Sequence, residues 1–129
     1  MLQDTFALNR IGSLHVQAYR FSRKKDFDVV AKFKDSYGVY SSEEYPIEDI
    51  VLMFDTEDGN YLDSCPIHHS QHVINKKDGE VVIGLRLRII PDFIMEFLSR
   101  SWSVKIVSPD SLRRRVCDIL REALNRNDY

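Results

Sequence analysis

Residues 80–90 read Glu-Val-Val-Ile-Gly-Leu-Arg-Leu-Arg-Ile-Ile, and their alternation decides the fold class. Every second position from Val81 to Ile89 is apolar, which is the period of a β-strand with one buried face. The preceding Lys77-Asp78-Gly79 is typical of a hairpin turn, so residues 71–76 are predicted to form the other arm. The opposite face of the strand carries Arg86 and Arg88, which places two guanidinium groups side by side on the outer surface of a sheet.

Outward from this hairpin, the apolar patterns continue in a regular order. The apolar run at residues 50–54 and the run at 104–107 predict two further strands. Helical spacing follows Thr56, Pro91 and Pro109, and the last of these patterns runs to Leu124. From Ile47 the order is therefore strand, helix, strand, strand, helix, strand and one more helix. This order predicts an α+β fold: a ferredoxin-like four-stranded antiparallel sheet with two packed helices and an extra C-terminal helix.

The size and composition fit a small domain that needs no covalent or metal staple. The chain has 129 residues, of which 43% are hydrophobic, enough to bury a core. Its two cysteines, Cys65 and Cys117, have no paired spacing, so neither a disulfide framework nor a thiolate metal site is expected. No stretch approaches the roughly 20 apolar residues that span a bilayer. We therefore expect a cytoplasmic protein with no membrane partner, metal or cofactor.

The first 46 residues have a different character from the rest. Apolar positions between Phe6 and Val16 suggest that residues 1–20 are a strand from a larger sheet, because they cannot make a core alone. Residues 21–46 read as a linker with a short helix capped by Asp26. Pro46 marks the boundary, so residues 47–129 are predicted to be the self-contained domain.

Charge is divided into three blocks along the chain. Residues 1–34 carry seven Lys/Arg and three acids, residues 35–75 carry nine acids and no Lys/Arg, and residues 76–129 carry eleven bases and eight acids. The net charges of the blocks are +4, −9 and +3. Such blocks can orient anionic partners or sister subunits, and the acidic middle can equally be a solvated surface.

Cys65, His68, His69 and His72 form the most chemically suggestive cluster. Thiolate and imidazole suit zinc, but Pro66 interrupts the local structure and no second Cys or His cluster completes a tetrahedral site. A solvated loop leading into a strand is the simpler interpretation. His69 or His72 could also serve as a polar ligand contact or as a pH-sensitive interface group.

Catalytic motifs do not stand out, so we expect no enzyme activity. The sequence holds no G-x-S-x-G, G-x-G-x-x-G or P-loop pattern. The basic groups are more informative, because Arg86 and Arg88 on one strand can fork onto phosphate or carboxylate. The alternative is that they form salt bridges with the acidic middle of the chain. Residues 113–115 in the last helix are all arginines. A salt bridge between Arg114 and Asp118, four residues apart, would account for one of them.

Three groups of residues carry a family resemblance. Residues 6–11, Phe-Ala-Leu-Asn-Arg-Ile, resemble the closing strand of the WYL domain, an SH3- or Sm-like β-barrel of bacterial transcriptional regulators. Residues 33–40 are similar to the linker that follows it. Residues 67–71, the hairpin with Leu-Arg-Leu-Arg at 85–88, and residues 102–112 resemble the WYL C-terminal extension, called WCX. Together these pieces cover nearly the whole chain in the family's order.

The resemblance implies the ligand-sensing or dimerising portion of a WYL-type regulator. It implies a nucleotide or single-stranded nucleic acid as effector, a homodimer, and promoter contact only through a separate N-terminal winged helix-turn-helix that this sequence lacks. Arg10 matches the family arginine of the closing strand, and Arg86 and Arg88 match a basic strand of the extension, so these three are the predicted ligand-binding residues. Asn9 departs from the Asp common at that position. The alternative is a purely structural homodimerisation module.

Overall fold

The computed structural model describes residues 7–38 and 42–128. The strands are β1 (Ile47–Asp55), β2 (His72–Lys77), β3 (Glu80–Arg88) and β4 (Lys105–Ser108). The helices are α1 (Val29–Phe33), α2 (Thr56–Ser64), α3 (Pro91–Leu98) and α4 (Asp110–Asn127). Among these described helices, none combines the length and apolar character that crossing a bilayer requires.

The four strands form one sheet in the order β2-β3-β1-β4, and every neighbouring pair is antiparallel. Each half of the β-α-β-β-α-β order contributes a split unit, because β3 lies between β1 and β2, and β1 lies between β3 and β4. The predicted α+β class with a four-stranded antiparallel sheet is confirmed, and the strand order is consistent with a ferredoxin-like arrangement.

The β2–β3 hairpin follows its sequence signal. Asp78 and Gly79 both have positive φ, 55° and 79°, and Lys77 pairs with Glu80 across the two-residue loop. Two central residues in the left-handed region define a type I′ turn, whose twist matches that of antiparallel strands. The Asp-Gly pair therefore sets the pairing of β2 with β3 at the turn end of the hairpin.

The core lies between one face of the sheet and the helices. The alternation predicted for β3 is confirmed, since its odd-numbered positions are buried. They join the buried face of β1 and the apolar stripe of α3 in one cluster, in which the rings of Phe93 and Phe97 meet edge to face at 5.2 Å. The largest fully buried side chains of this core include Phe54, Phe93, Phe97, Ile50, Leu52, Ile83, Leu85 and Leu87.

The upstream segment differs from the prediction. The described residues 7–20 form no strand, and only Leu8–Arg10 is regular, as a single 3-10 turn; Phe6 lies outside the described residues. A strand needs a hydrogen-bonded neighbour, and the sheet in this structure lies entirely within residues 47–108. The short helix is also displaced, because Asp28 rather than Asp26 caps it by accepting hydrogen bonds from the amides of Val30 and Ala31.

Helix α4 is only half covered. It begins at Asp110, and its N-cap residue, Pro109, makes no side-chain hydrogen bond to the helix. Of its apolar positions only Leu112 and Val116 are buried. Ile119, Leu120 and Leu124 are 38%, 42% and 66% exposed. The predicted apolar face exists, but its second half has no covering layer in the described structure.

Candidate ligand site on the open sheet face

The sheet face opposite the core carries the predicted arginine pair. Antiparallel register places Arg86 of β3 opposite Asp49 of β1 and Arg88 opposite Ile47. Because side chains alternate along a strand, Arg86 and Arg88 point away from the buried Leu85 and Leu87. We call Asp49, Arg86 and Arg88 the arginine face.

Arg86 forms an ion pair that leaves it accessible. Its Nη1 donates to both carboxylate oxygens of Asp49, at 2.9 and 2.8 Å, and the side chains of Arg86 and Asp49 are 61% and 75% exposed. Since Asp49 belongs to the acidic middle of the chain, the salt bridge that the sequence left open as an alternative is present. The Nε and Nη2 groups make no hydrogen bond to the described residues, so the guanidinium is held in place with donors to spare.

Arg88 is half-buried and anchored through the main chain. Its guanidinium Nη1 donates to the carbonyl oxygen of Tyr45, just before β1. Its own amide donates to the carbonyl oxygen of Asp35 at 2.8 Å. Arg88 is therefore fixed to two segments that precede the sheet in sequence, and it faces no carboxylate within ion-pair distance among the described residues.

Arg10, the third predicted ligand-binding residue, is not joined to the other two. It ends the 3-10 turn of the upstream segment and is exposed. No hydrogen bond or ion pair of the described residues joins its side chain to Arg86 or Arg88. The structure thus brings together two of the three predicted residues.

A hollow of about 180 Å³ lies near the start of β1, on the helical side of the sheet. Glu48 and Ile89 line it from the sheet, Arg115 and Leu112 line it from α4, and Tyr45 lies at its edge. Arg115 has no hydrogen-bond or ion-pair partner among the described residues. In the sequence Arg115 does not differ from the two arginines before it, although three cations in the first turns of a helix are unfavourable for its dipole and so mark the run.

Three of the other four arginines of α4, Arg113, Arg121 and Arg126, form surface ion pairs. Arg113 pairs with Asp110 at 2.6 Å and Arg121 with Asp118 at 3.1 Å. Asp118 pairs with Arg121, three residues further along the helix, and not with Arg114 as expected. Exposed pairs of this kind contribute at most about 1 kcal/mol each.

The Cys65 to His72 cluster does not converge on one centre. Cys65 is exposed, whereas His68 is buried and its Nε2 contacts the carbonyl of Lys34. His72 contacts the carbonyl of Ser70. Within residues 7–38 and 42–128, no three His, Cys, Asp or Glu side chains are placed to hold a metal ion. His68 and His69 are part of a contact with the linker, because the Nε2 of each bonds the carbonyl oxygen of Lys34.

The fold and the arginine face define a small α+β module with an exposed, sheet-held guanidinium surface and no described metal centre. Residues 46–124 match the family model described as the WCX domain. The chain belongs to the WCX domain family and carries the C-terminal module of a WYL-type regulator. No protein of curated function matches the sequence.

Proposed function

We propose that this chain is the effector-sensing part of a cytoplasmic WYL-type transcriptional regulator, and that an anionic nucleotide or single-stranded nucleic acid binds the arginine face. The observation that carries the proposal is the exposed Arg86 guanidinium, which Asp49 orients while leaving Nε and Nη2 unpaired. A guanidinium held in this way loses little conformational freedom when it binds a phosphate. Promoter DNA is contacted by a separate winged helix-turn-helix.

The upstream segment supports a connection to a further domain. Residues 7–33 contain no buried residue, yet they expose large apolar side chains: Leu8, Leu14, Val16, Tyr19 and Phe21. Exposed apolar surface of this kind marks a contact with another layer. We propose that residues 1–20 complete a WYL-type barrel as its last strand, which brings Arg10 to the ligand from the barrel side.

Binding is tested by titrating the chain with a short single-stranded oligonucleotide and with a nucleoside monophosphate, at low and at high salt. We expect affinity to fall as salt rises, because phosphate contacts release counterions. Replacing Arg86 and Arg88 by Gln should abolish most of the binding and lower the salt slope for the oligonucleotide by about 1.4, or roughly 0.7 for each phosphate contact.

Arg121→Gln is the matched control. Arg121 is also an exposed arginine paired with an aspartate, but it lies on α4 away from the arginine face. It should bind like the unchanged chain. Equal loss in both variants, or binding that is indifferent to salt, contradicts the proposal.

A structural homodimerisation module is the second candidate, and the uncovered half of α4 favours it. Ile119, Leu120 and Leu124 form an exposed apolar stripe on that helix, and apolar stripes of this kind commonly pack against a second helix. Light scattering and thermal unfolding at increasing protein concentration test it, because a dimer gains stability with concentration. Leu120→Glu with Leu124→Glu should make the chain monomeric. A chain that is monomeric at all concentrations excludes this function.

A further inference from the structure

Residues 34–37, which we call the strap, are held by the loop that precedes β2. The carbonyl oxygen of Lys34 accepts from the Nε2 of two consecutive histidines, His68 at 2.9 Å and His69 at 2.6 Å. A carbonyl oxygen has two lone pairs, so these two donors satisfy it fully. The start of the strap thus has a fixed position on the domain.

The end of the strap is anchored to α3. The hydroxyl of Tyr37 donates to Glu96 Oε2 at 2.7 Å, and the ring of Tyr37 meets that of Phe93 edge to face at 6.2 Å. Ser36, which lies between the two anchored ends, is buried. The strap is therefore docked along its whole length.

The docked strap covers the end of β3, where Arg88 lies. Pairing with β2 extends only to Gly84, so the rest of β3 has no neighbouring strand on that edge. The amide of Arg86 donates there to Ser70 Oγ at 2.9 Å, and the amide of Arg88 donates to the carbonyl oxygen of Asp35 at 2.8 Å. Proteins commonly cover an open sheet edge with a loop, and here the strap supplies the last hydrogen bond of that edge.

Arg88 is held by the linker through both its main chain and its side chain. Its amide donates to Asp35 of the strap, and its guanidinium Nη1 donates to the carbonyl oxygen of Tyr45. The remaining donors, Nε and Nη2, make no hydrogen bond to the described residues. Arg86 differs, because its guanidinium is oriented by Asp49 within the sheet itself. The two arginines of the arginine face thus depend on different parts of the chain.

We propose that the strap is a positioning segment for the ligand: its docking fixes Arg88 in the pose that binds an anion, and ligand binding in turn strengthens the docking. This inference rests on the proposed function of the arginine face. A phosphate can accept from the free Nε and Nη2 of Arg88 while Nη1 keeps its bond to Tyr45, so the ligand and the linker hold Arg88 together. Two binding events that favour the same conformation raise each other's affinity by the same factor.

This coupling connects the ligand to the upstream part of the chain. Residues 7–33 contain no buried residue, and Ser36 of the strap is the first buried residue of the described chain. The strap is thus where the chain that comes from upstream first docks on the domain. A ligand that tightens the strap limits the positions that the upstream segment can adopt.

A double-mutant cycle in the full chain tests the coupling, with adenosine monophosphate at low salt as the probe. His68→Ala with His69→Ala removes both donors to Lys34 and should lower the affinity about three- to tenfold, the factor for ordering one long side chain on binding. In the Arg88→Gln background, which retains Arg86, the same loop substitutions should change the affinity less than about twofold. Unchanged or higher affinity in the loop variant, or an equal loss in both backgrounds, overturns the proposal.

Two tyrosine variants give a gentler disruption and its matched control. Tyr37→Phe removes only the hydroxyl that donates to Glu96 and should lower the affinity by about twofold or more, because the end of the strap loses a hydrogen bond. Tyr19→Phe removes the hydroxyl of an exposed tyrosine in the upstream segment and should bind like the unchanged chain. Equal affinities in the two variants contradict the role of the strap.

Amide hydrogen exchange gives the reciprocal measurement in the unchanged chain. Saturating adenosine monophosphate should raise the protection of the Arg88 amide by a similar factor of about three to ten, because the bound ligand keeps the strap docked. Absence of binding to the unchanged chain overturns the proposed function and this inference with it. Binding that leaves the protection of the Arg88 amide unchanged overturns the inference alone.

Discussion

Gly59 is the residue at which α2 lies directly against Val81 of β3. A Cβ built on Gly59 would lie 2.4 Å from the Cβ of Val81 and 2.5 Å from its Cγ2. Val81 is β-branched and fully buried in β3, so the crowded atom cannot turn away. The sequence shows Gly59 only as a weak point in a predicted helix, because the neighbour that requires it is 22 positions away.

Gly59→Ala should destabilise the domain despite its better helix propensity. Alanine favours a helix interior over glycine by up to about 1 kcal/mol, whereas overpacking a core contact costs about 1–3 kcal/mol. We expect a net loss of about 1 kcal/mol in urea unfolding. Asn60→Ala, on the exposed side of the same helix, is the control without the contact. A gain of stability in Gly59→Ala would show that the helix can move away from Val81.

At the scale of elements, strands and helices were predicted with different success. The β3 alternation and the Asp-Gly turn are local signals, so they gave both the strand and its buried face. The helical periodicity of α4 predicted which side of the helix is apolar. It did not predict that Ile119, Leu120 and Leu124 are exposed, because periodicity does not say what covers a face. The strand expected in residues 1–20 is absent from the described residues 7–20, which pair with no strand of the sheet.

The candidate site shows the same limit. Strand parity predicted that Arg86 and Arg88 share a face, but it could not identify Asp49 as the partner of Arg86, because the partner depends on the register between β1 and β3. The contact of His68 and His69 with Lys34 spans about a quarter of the chain. Spacing between neighbouring residues carries no information about such a contact.

Arg100 connects α2 to the segment that follows α3. Its guanidinium binds Asp58 and lies 4.2 Å from the ring centre of Tyr61. The side chains of Arg100 and Asp58 are 23% and 9% exposed, so this is the most buried ion pair of the described residues. Removing one partner of a buried pair leaves an uncompensated charge and costs about 3–5 kcal/mol.

Arg100→Met should therefore lower the free energy of unfolding by about 3 kcal/mol. Arg113→Met removes an arginine from an exposed pair with Asp110 and should cost less than about 1 kcal/mol. Urea unfolding of the two variants gives the comparison. Adding Asp58→Asn to Arg100→Met should recover part of the loss, and similar small losses in both single variants would contradict the role assigned to burial.

At the scale of the whole molecule, the three charge blocks partly neutralise each other. Asp49, Asp58 and Asp63 of the acidic middle pair with Arg86, Arg100 and Lys76 of the basic C-terminal block. Ion pairs within the folded chain thus neutralise part of the charge of the acidic and basic blocks. The acidic block is neither only a solvated surface nor fully available to a partner.

The buried core of the molecule lies between Ile50 and Val116, whereas residues 34–37 contribute polar contacts and the packing of Tyr37 against this core. Residues 7–33 contain no fully buried residue, so removing residues 1–33 should shift the melting temperature by less than about 2 °C. Removing residues 1–41 also deletes the carbonyl acceptors of Lys34 and Asp35 and the packing of Tyr37 against Phe93. Several lost hydrogen bonds of about 1 kcal/mol each should lower the melting temperature by at least about 5 °C.

Thermal unfolding of the two shortened chains at pH 7.5 compares these contributions. A large loss on removing residues 1–33 alone would show that the upstream segment packs on the domain.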